Sequence, residues 1–287
     1  MIGTDLRPLA GKLVGSPDWT STLVLIHGIE GDPVQTWKRR GAVVAWYDRL
    51  ASAIPGLAVV SLGFGAQLRR QQQEKFIEHH SRECFGWIIE RRLLDRPLTI
   101  CCYSLGGIVL KRMLADHTHD SRFALRRLNL NAIVFLGVPH RGSSWARAPR
   151  RWLLGGRASS ALKDLEPESR FLEDVHHRFA AIWSRLSGHV QMLSVQETLG
   201  PRPSELAPLL RPLRLIPPAT RFPLVVSPTS STMGGVNERV MKVQASHLSL
   251  PYFGYPDAPL IETEIEALIR GTSSPSGDDS RLFDRLT

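Results

Sequence analysis

Residues 98–114 read LTICCYSLGGIVLKRML, and the chain is best read outward from them. Residues 98–103 are a short unbroken apolar run, the pattern of a strand buried on both faces. A helical pattern over 105–117 follows without a loop, so Ser104 alone makes the turn, with Gly106 and Gly107 behind it. A turn this sharp puts its residue in a strained conformation, and small neighbours keep it from colliding. The serine hydroxyl then stands above the strand ends and faces a helix N-terminus, where developing negative charge is favoured. Ser104 is a candidate nucleophile; a serine capping an ordinary strand–helix turn is the plain alternative. Such an elbow usually reads G-x-S-x-G, and here Cys102 stands in the first glycine's place, a small side chain that the turn can hold.

Five more apolar runs lie at 21–27, 57–62, 130–138, 190–195 and 240–245. Helical patterns separate them. One falls within 37–54, a second over 75–94 with Phe76, Ile77, Cys84, Trp87, Ile88 and Leu94 on one side, and a final one over 259–270. Strands alternating with helices give βαβ units, hence a mostly parallel sheet with helices on both faces. Two stretches break the rhythm. Residues 141–180 read as a lid-like insertion that covers the site, with a helical pattern over 162–179. Trp145, Trp152, Leu153 and Leu154 make it apolar enough for a lipid-like substrate, although a packed structural insertion explains them equally well. Residues 200–223 carry seven prolines and read as an irregular surface excursion. One domain is expected over 1–270, followed by a disordered Ser-, Gly- and Asp-rich tail, 271–287.

A serine nucleophile needs a base, and a carboxylate to orient that base. Of the ten histidines, His79, His80, His117, His119, His176, His177 and His189 lie in polar contexts and are expected to be solvated. His27 is expected to brace its loop. His140 comes early in the chain, whereas His247 follows the sixth strand, where chain order places a base. Glu197 closes the fifth strand and is the favoured acid; Glu238 and Glu205 are its rivals. His27 to Gly31 form an H-G-x-x-G turn after the first strand. Its Ile29 amide and that of Leu105 are candidate donors to an oxyanion.

The segments LVLIHGIEGDPVQTW, YSLGGIVLKRML, FLGVPHRGSSWA, LKDLEPESRFLEDVHHRF and NERVMKVQASHLSLPYF, in this order over about 23–253, resemble one branch of the α/β-hydrolase superfamily. That branch comprises serine esterases and lipases similar to the serine-active-site-containing mitochondrial protein and, more distantly, the GPI inositol deacylases. The resemblance implies an α/β-hydrolase fold and ester hydrolysis with Ser104 as nucleophile, Glu197 as acid and His247 as base. It also implies Ile29 and Leu105 as oxyanion donors. The departures are Cys102 in the elbow and Glu30 in the H-G turn, which sets a carboxylate near the oxyanion site. An acyltransferase or peptidase on the same three residues, or a non-catalytic module of this fold, remains an alternative.

Composition narrows the classes. The chain has 287 residues and a net charge of +9, but only six of its 36 basic residues are lysine, and the arginines are scattered in pairs without interleaved aromatics. That pattern sets nucleic acid aside as a partner and leaves a small or lipid ester, with peripheral contact to an anionic membrane. The three cysteines have no pairing or metal-ligand spacing. Neither an H-E-x-x-H nor a nucleotide-binding glycine loop is present, so no metal and no cofactor are expected. With no signal peptide or membrane-spanning run in the sequence, the expected compartment is the cytoplasm.

Overall fold

Seven strands form one sheet: β1 (Thr4–Gly11), β2 (Ser21–Ile26), β3 (Leu57–Phe64), β4 (Leu98–Tyr103), β5 (Leu130–Leu136), β6 (Gln191–Leu199) and β7 (Glu238–Ser246). Their order across the sheet is β1-β3-β2-β4-β5-β6-β7. Every neighbouring pair is parallel except β1 with β3. The helices are α1 (Trp46–Ala53), α2 (Phe76–Glu90), α3 (Leu105–His117), α4 (Arg170–Leu186), the single turn α5 (Pro203–Leu206) and α6 (Ala258–Arg270). This computed structural model describes residues 4–29, 31–39, 41–64, 76–117, 129–147, 163–206 and 220–272. The expected tail beyond 272, Glu30, Trp152, Leu153 and Leu154 lie outside them.

The unbroken apolar runs exist because both faces of the sheet are covered. Side chains alternate across a strand, so Val24, Ile26, Ile100, Cys102, Ile133 and Phe135 enter one core layer with α2, α3 and α4. Leu23, Leu25, Cys101, Tyr103, Val134 and Leu136 enter the other, with α1 and α6. Each fully buried large aliphatic side chain contributes about 1.5–3 kcal/mol, and in β2 Leu23, Val24, Leu25 and Ile26 are all fully buried. Cys84, Cys101 and Cys102 are likewise buried, as free thiols. Among the described residues no helix is long and apolar enough to cross a membrane.

Four expectations change. β1 has no apolar run to announce it: it is an edge strand, it contains Pro8, and its pairing with β3 slips between Pro8 and Ala10, as edge strands tolerate. The second helical pattern ends at Glu90, with Leu93 in a separate short turn. Its buried stripe is Phe76, Ile77, His80, Ser81, Cys84, Phe85 and Ile88. His80 is therefore inside the protein and not solvated, because it falls one turn beyond Phe76 on the packed face. Finally, the C-terminal end of 141–180 belongs to a core helix, while 148–162 lies outside the described residues. α4 begins at Arg170, and Leu172, Val175, Phe179, Ile182, Trp183 and Leu186 pack into the core. It is the crossover helix that returns β5 to β6.

Candidate active site

The crossover from β4 to α3 sets the first side chain. Ser104 has φ +52°, in the left-handed region that non-glycine residues avoid. The turn is tied down on both sides: the Ser104 amide donates to Leu136 O at 3.0 Å, and the Gly107 amide donates to Ser104 O at 3.1 Å. Gly106 lets the helix start this close to the sheet, since a Cβ there would meet Ile26 O at 2.3 Å and His27 O at 2.5 Å. The Cys102 side chain points into the α2–α3 layer and is fully buried, so this departure from the elbow pattern leaves the turn intact.

His247 opens a short 3-10 turn (His247–Tyr252) directly after β7. Trp46 holds that turn from α1, donating its indole N–H to Pro251 O at 3.0 Å and packing on Phe253 with ring centroids 4.5 Å apart. From below, Gly137 at φ +55° leaves room for the imidazole: a Cβ there would lie 3.0 Å from His247 Nδ1 and 2.8 Å from Leu250 Cδ1. His247 Nε2 lies 3.0 Å from Ser104 Oγ, and Nδ1 lies 2.6 Å from Glu197 Oε2. With the Nδ1 proton directed at the carboxylate, Nε2 accepts from the serine hydroxyl.

Glu197 is 2% exposed on β6, and a buried carboxylate needs compensation. Its second oxygen, Oε1, accepts the amides of Val225 at 2.8 Å and Val226 at 2.9 Å. These two donors, 28 and 29 residues further along, carry no side-chain signature that sequence reading could have found. The rival acids are engaged elsewhere. Glu205 accepts the Ser246 hydroxyl at 2.5 Å, one residue from the imidazole but not on it. Glu238 accepts Ser194 Oγ at 2.5 Å and the amides of Met233 and Gly234.

The H-G turn lies against the serine, since a Cβ on Gly28 would come 3.0 Å from Ser104 Cβ. Among the described residues neither the Ile29 amide nor the Leu105 amide has an acceptor. His27 braces this turn: its Nδ1–H donates to Gly28 O at 2.7 Å and its Nε2 accepts the Phe64 amide at 3.1 Å. Burial lowers its pKa to about 4, so its ring stays neutral and takes no part as a base at neutral pH.

A second polar cluster lies within the fold. Lys111 on α3 is fully buried, its Nζ 3.4 Å from both His140 Nδ1 and His176 Nδ1 and 5.7 Å from the Phe179 ring centre. Burial lowers the lysine to about 7 and His176 to about 4, and pushes His140 well below its usual value. The His140 Nε2 atom is buried without a hydrogen-bond partner among the described residues. His140, like His80, is an interior histidine.

A mostly parallel sheet with an antiparallel edge, a strained serine at the end of β4 and helices on both faces define the α/β-hydrolase fold. The mature form of the lipase BlEst2 from Bacillus licheniformis superposes with a TM-score of 0.55 at 15% identity, over 93% of this chain and 98% of that one. Among curated proteins the chain is similar to protein SERAC1 of Danio rerio, 23% identical over 253 residues, and to protein SERAC1 of Homo sapiens, 25% identical over 200 residues. These are serine-active-site-containing proteins, in keeping with the branch that the motifs resemble. The matches take in 79% and 62% of this chain but 35% and 30% of those proteins, so the chain spans about a third of the length of the curated relatives it matches. No protein-family model matches the chain.

Proposed function

We propose that this chain is a serine hydrolase that cleaves carboxylic esters. The observation that carries the reading is the buried chain Ser104 Oγ–His247–Glu197, with spacings of 3.0 and 2.6 Å, hung from a serine at positive φ. His247 Nε2 takes the Ser104 proton as Oγ attacks the ester carbonyl, and Glu197 stabilises the imidazolium that forms. The Ile29 and Leu105 amides, with the α3 N-terminus, receive the oxyanion; one such donor is worth about 3–4 kcal/mol in the transition state. The imidazolium then protonates the departing alkoxide. In the second half, His247 deprotonates water, which attacks the acyl-serine; Ser104 Oγ departs, takes that proton back from His247, and the acid is freed.

The lipid-like acyl group rests on composition: Trp152, Leu153 and Leu154 within 148–162 and the leucines within 207–219, two stretches outside the described residues. Trp145 and Phe222, both half-buried and a few residues from those stretches, meet edge to face at 6.2 Å. The test is Ser104→Ala against p-nitrophenyl butyrate, with fluorophosphonate labelling of the unsubstituted chain. Turnover should vanish in the folded variant, and the label should sit on Ser104. Retained turnover, or a folded chain that takes no label, would overturn the reading. Faster turnover of octanoyl than acetyl esters is expected from an apolar acyl site.

A further inference from the structure

The run FIEHHSRE, residues 76–83, places two histidines and a glutamate on one turn of α2. At about 100° per residue, Glu83 sits roughly 40° round the helix from His79 and roughly 60° from His80, so one carboxylate serves both rings. Its Oε2 lies 3.3 Å from His79 Nε2 and 3.5 Å from His80 Nδ1. One ligand atom from each of the three residues falls within 4.8 Å of the others.

These spacings are long for N–H···O hydrogen bonds, which centre on about 2.9 Å. The His79 Nε2 atom is buried with no hydrogen-bond partner among the described residues. The two distances to Glu83 suit a different geometry: ligands about 2.0–2.1 Å from a tetrahedral zinc lie about 3.3–3.4 Å from each other, and the two histidine nitrogens lie within 4.8 Å of one another. Packing holds one ring in place, since His80 is stacked on Phe64 at 5.0 Å and edge-on to Phe76 at 4.4 Å. The His79 and Glu83 side chains are each about a third exposed, so the cluster lies at the surface end of the packed face.

We propose that His79, His80 and Glu83 form a site for a zinc-class divalent cation on α2, distinct in its residues from the Ser104–His247–Glu197 chain. Two imidazole nitrogens and one carboxylate oxygen are a donor set of borderline softness, and a fourth position stays open for water. The expectation of no metal, drawn from motif spacing, misses the site because adjacent histidines followed by a glutamate match no familiar pattern.

The test titrates the metal-free 287-residue chain with zinc alone against a chromophoric chelator, and with cobalt(II) followed by its ligand-field absorption. One equivalent should bind and raise the melting temperature. Glu83→Gln and His79→Gln, both at partly exposed positions, should weaken uptake on the order of 100-fold or remove it, with circular dichroism unchanged. Ser104→Ala should bind zinc like the unsubstituted chain, which separates this result from the fate of the hydrolase reading. No uptake by the unsubstituted chain would overturn the site. So would equal uptake by folded Glu83→Gln, which would place the metal elsewhere.

Discussion

Two clusters of titratable side chains lie inside this protein, and they are built on opposite terms. In the first, Ser104, His247 and Glu197 are linked at 3.0 and 2.6 Å, and the carboxylate takes two further amide donors. In the second, Lys111, His140 and His176 meet at 3.4 Å with no carboxylate among them. Burial is the largest influence on the second cluster, driving all three groups towards their neutral forms, and the nearby Arg141 pushes each the same way. The first cluster is a continuous hydrogen-bonded chain that ends on two backbone donors, while the second leaves His140 Nε2 buried without a partner among the described residues. Burial is therefore not what separates the two; how far their polar atoms are paired is.

The largest expected effect breaks the first cluster at its charge. Glu197→Gln keeps the size of the side chain and should lower kcat for p-nitrophenyl butyrate by about 10⁴-fold with a modest change in KM. A loss under tenfold would mean that the carboxylate does not serve His247. Gly106→Ala attacks the support beneath Ser104. The added methyl meets two backbone carbonyls at 2.3 and 2.5 Å, and urea unfolding should show a loss of about 3 kcal/mol or more. Gly137→Ala is milder. The residue must keep φ +55° and press its Cβ on the His247 ring, so stability should fall by about 1–2 kcal/mol and kcat by about 10- to 100-fold.

The smallest effect tests the second cluster. Lys111→Met should leave kcat within about twofold and change stability at pH 7 by less than about 1 kcal/mol, because an apolar chain replaces a desolvated amine. Its signature is in the pH dependence. The folded lysine loses its proton near 7, while an unfolded lysine holds its own to about 10.5. Between those values the unfolded state binds more protons, so Lys111 makes stability rise with pH by up to about 1.4 kcal/mol per pH unit. That contribution is full above about 10.5, declines as pH falls from there to 7 and is gone below 7, and the variant should lack the slope in urea titrations. His27 and His176, both lowered to about 4, act in the same sense between pH 4 and 6.5. If Lys111→Met abolished turnover, the two clusters would have to be read as one.

What sequence shows here depends on the range of the interaction. The strands from β2 to β6 are visible as apolar runs because each is covered on both faces, which leaves a local composition to read; β7, an edge strand that is buried mainly at its C-terminal end, shows only the shorter run 240–245. Ser104 is visible because a turn of one residue between strand and helix is a local event. β1 is hidden, since an edge strand with Pro8 and one neighbour needs no such run. His80 reads as a solvated residue in sequence, and nothing local marks His140 or Lys111 as interior; only the packing of α2, α3 and the turn after β5 encloses them. The choice of Glu197 over Glu205 and Glu238 rested on chain order. The Val225 and Val226 amides that bind its free oxygen are a long-range feature with no local mark.

Those two amides also fix where the chain can change. The segment that leaves β6 and comes back to bind Glu197 is pinched shut at its base. Phe222 N–H donates to Pro201 O, the Arg221 side chain donates to Gly200 O, and Gly200 lies against Phe222 O. Once the ends are clamped, the entropy of closing the loop grows only slowly with its length. A change in the length or sequence of 207–219 is therefore expected to leave Glu197 on its two amide donors, so that this stretch can be exchanged without unseating the carboxylate.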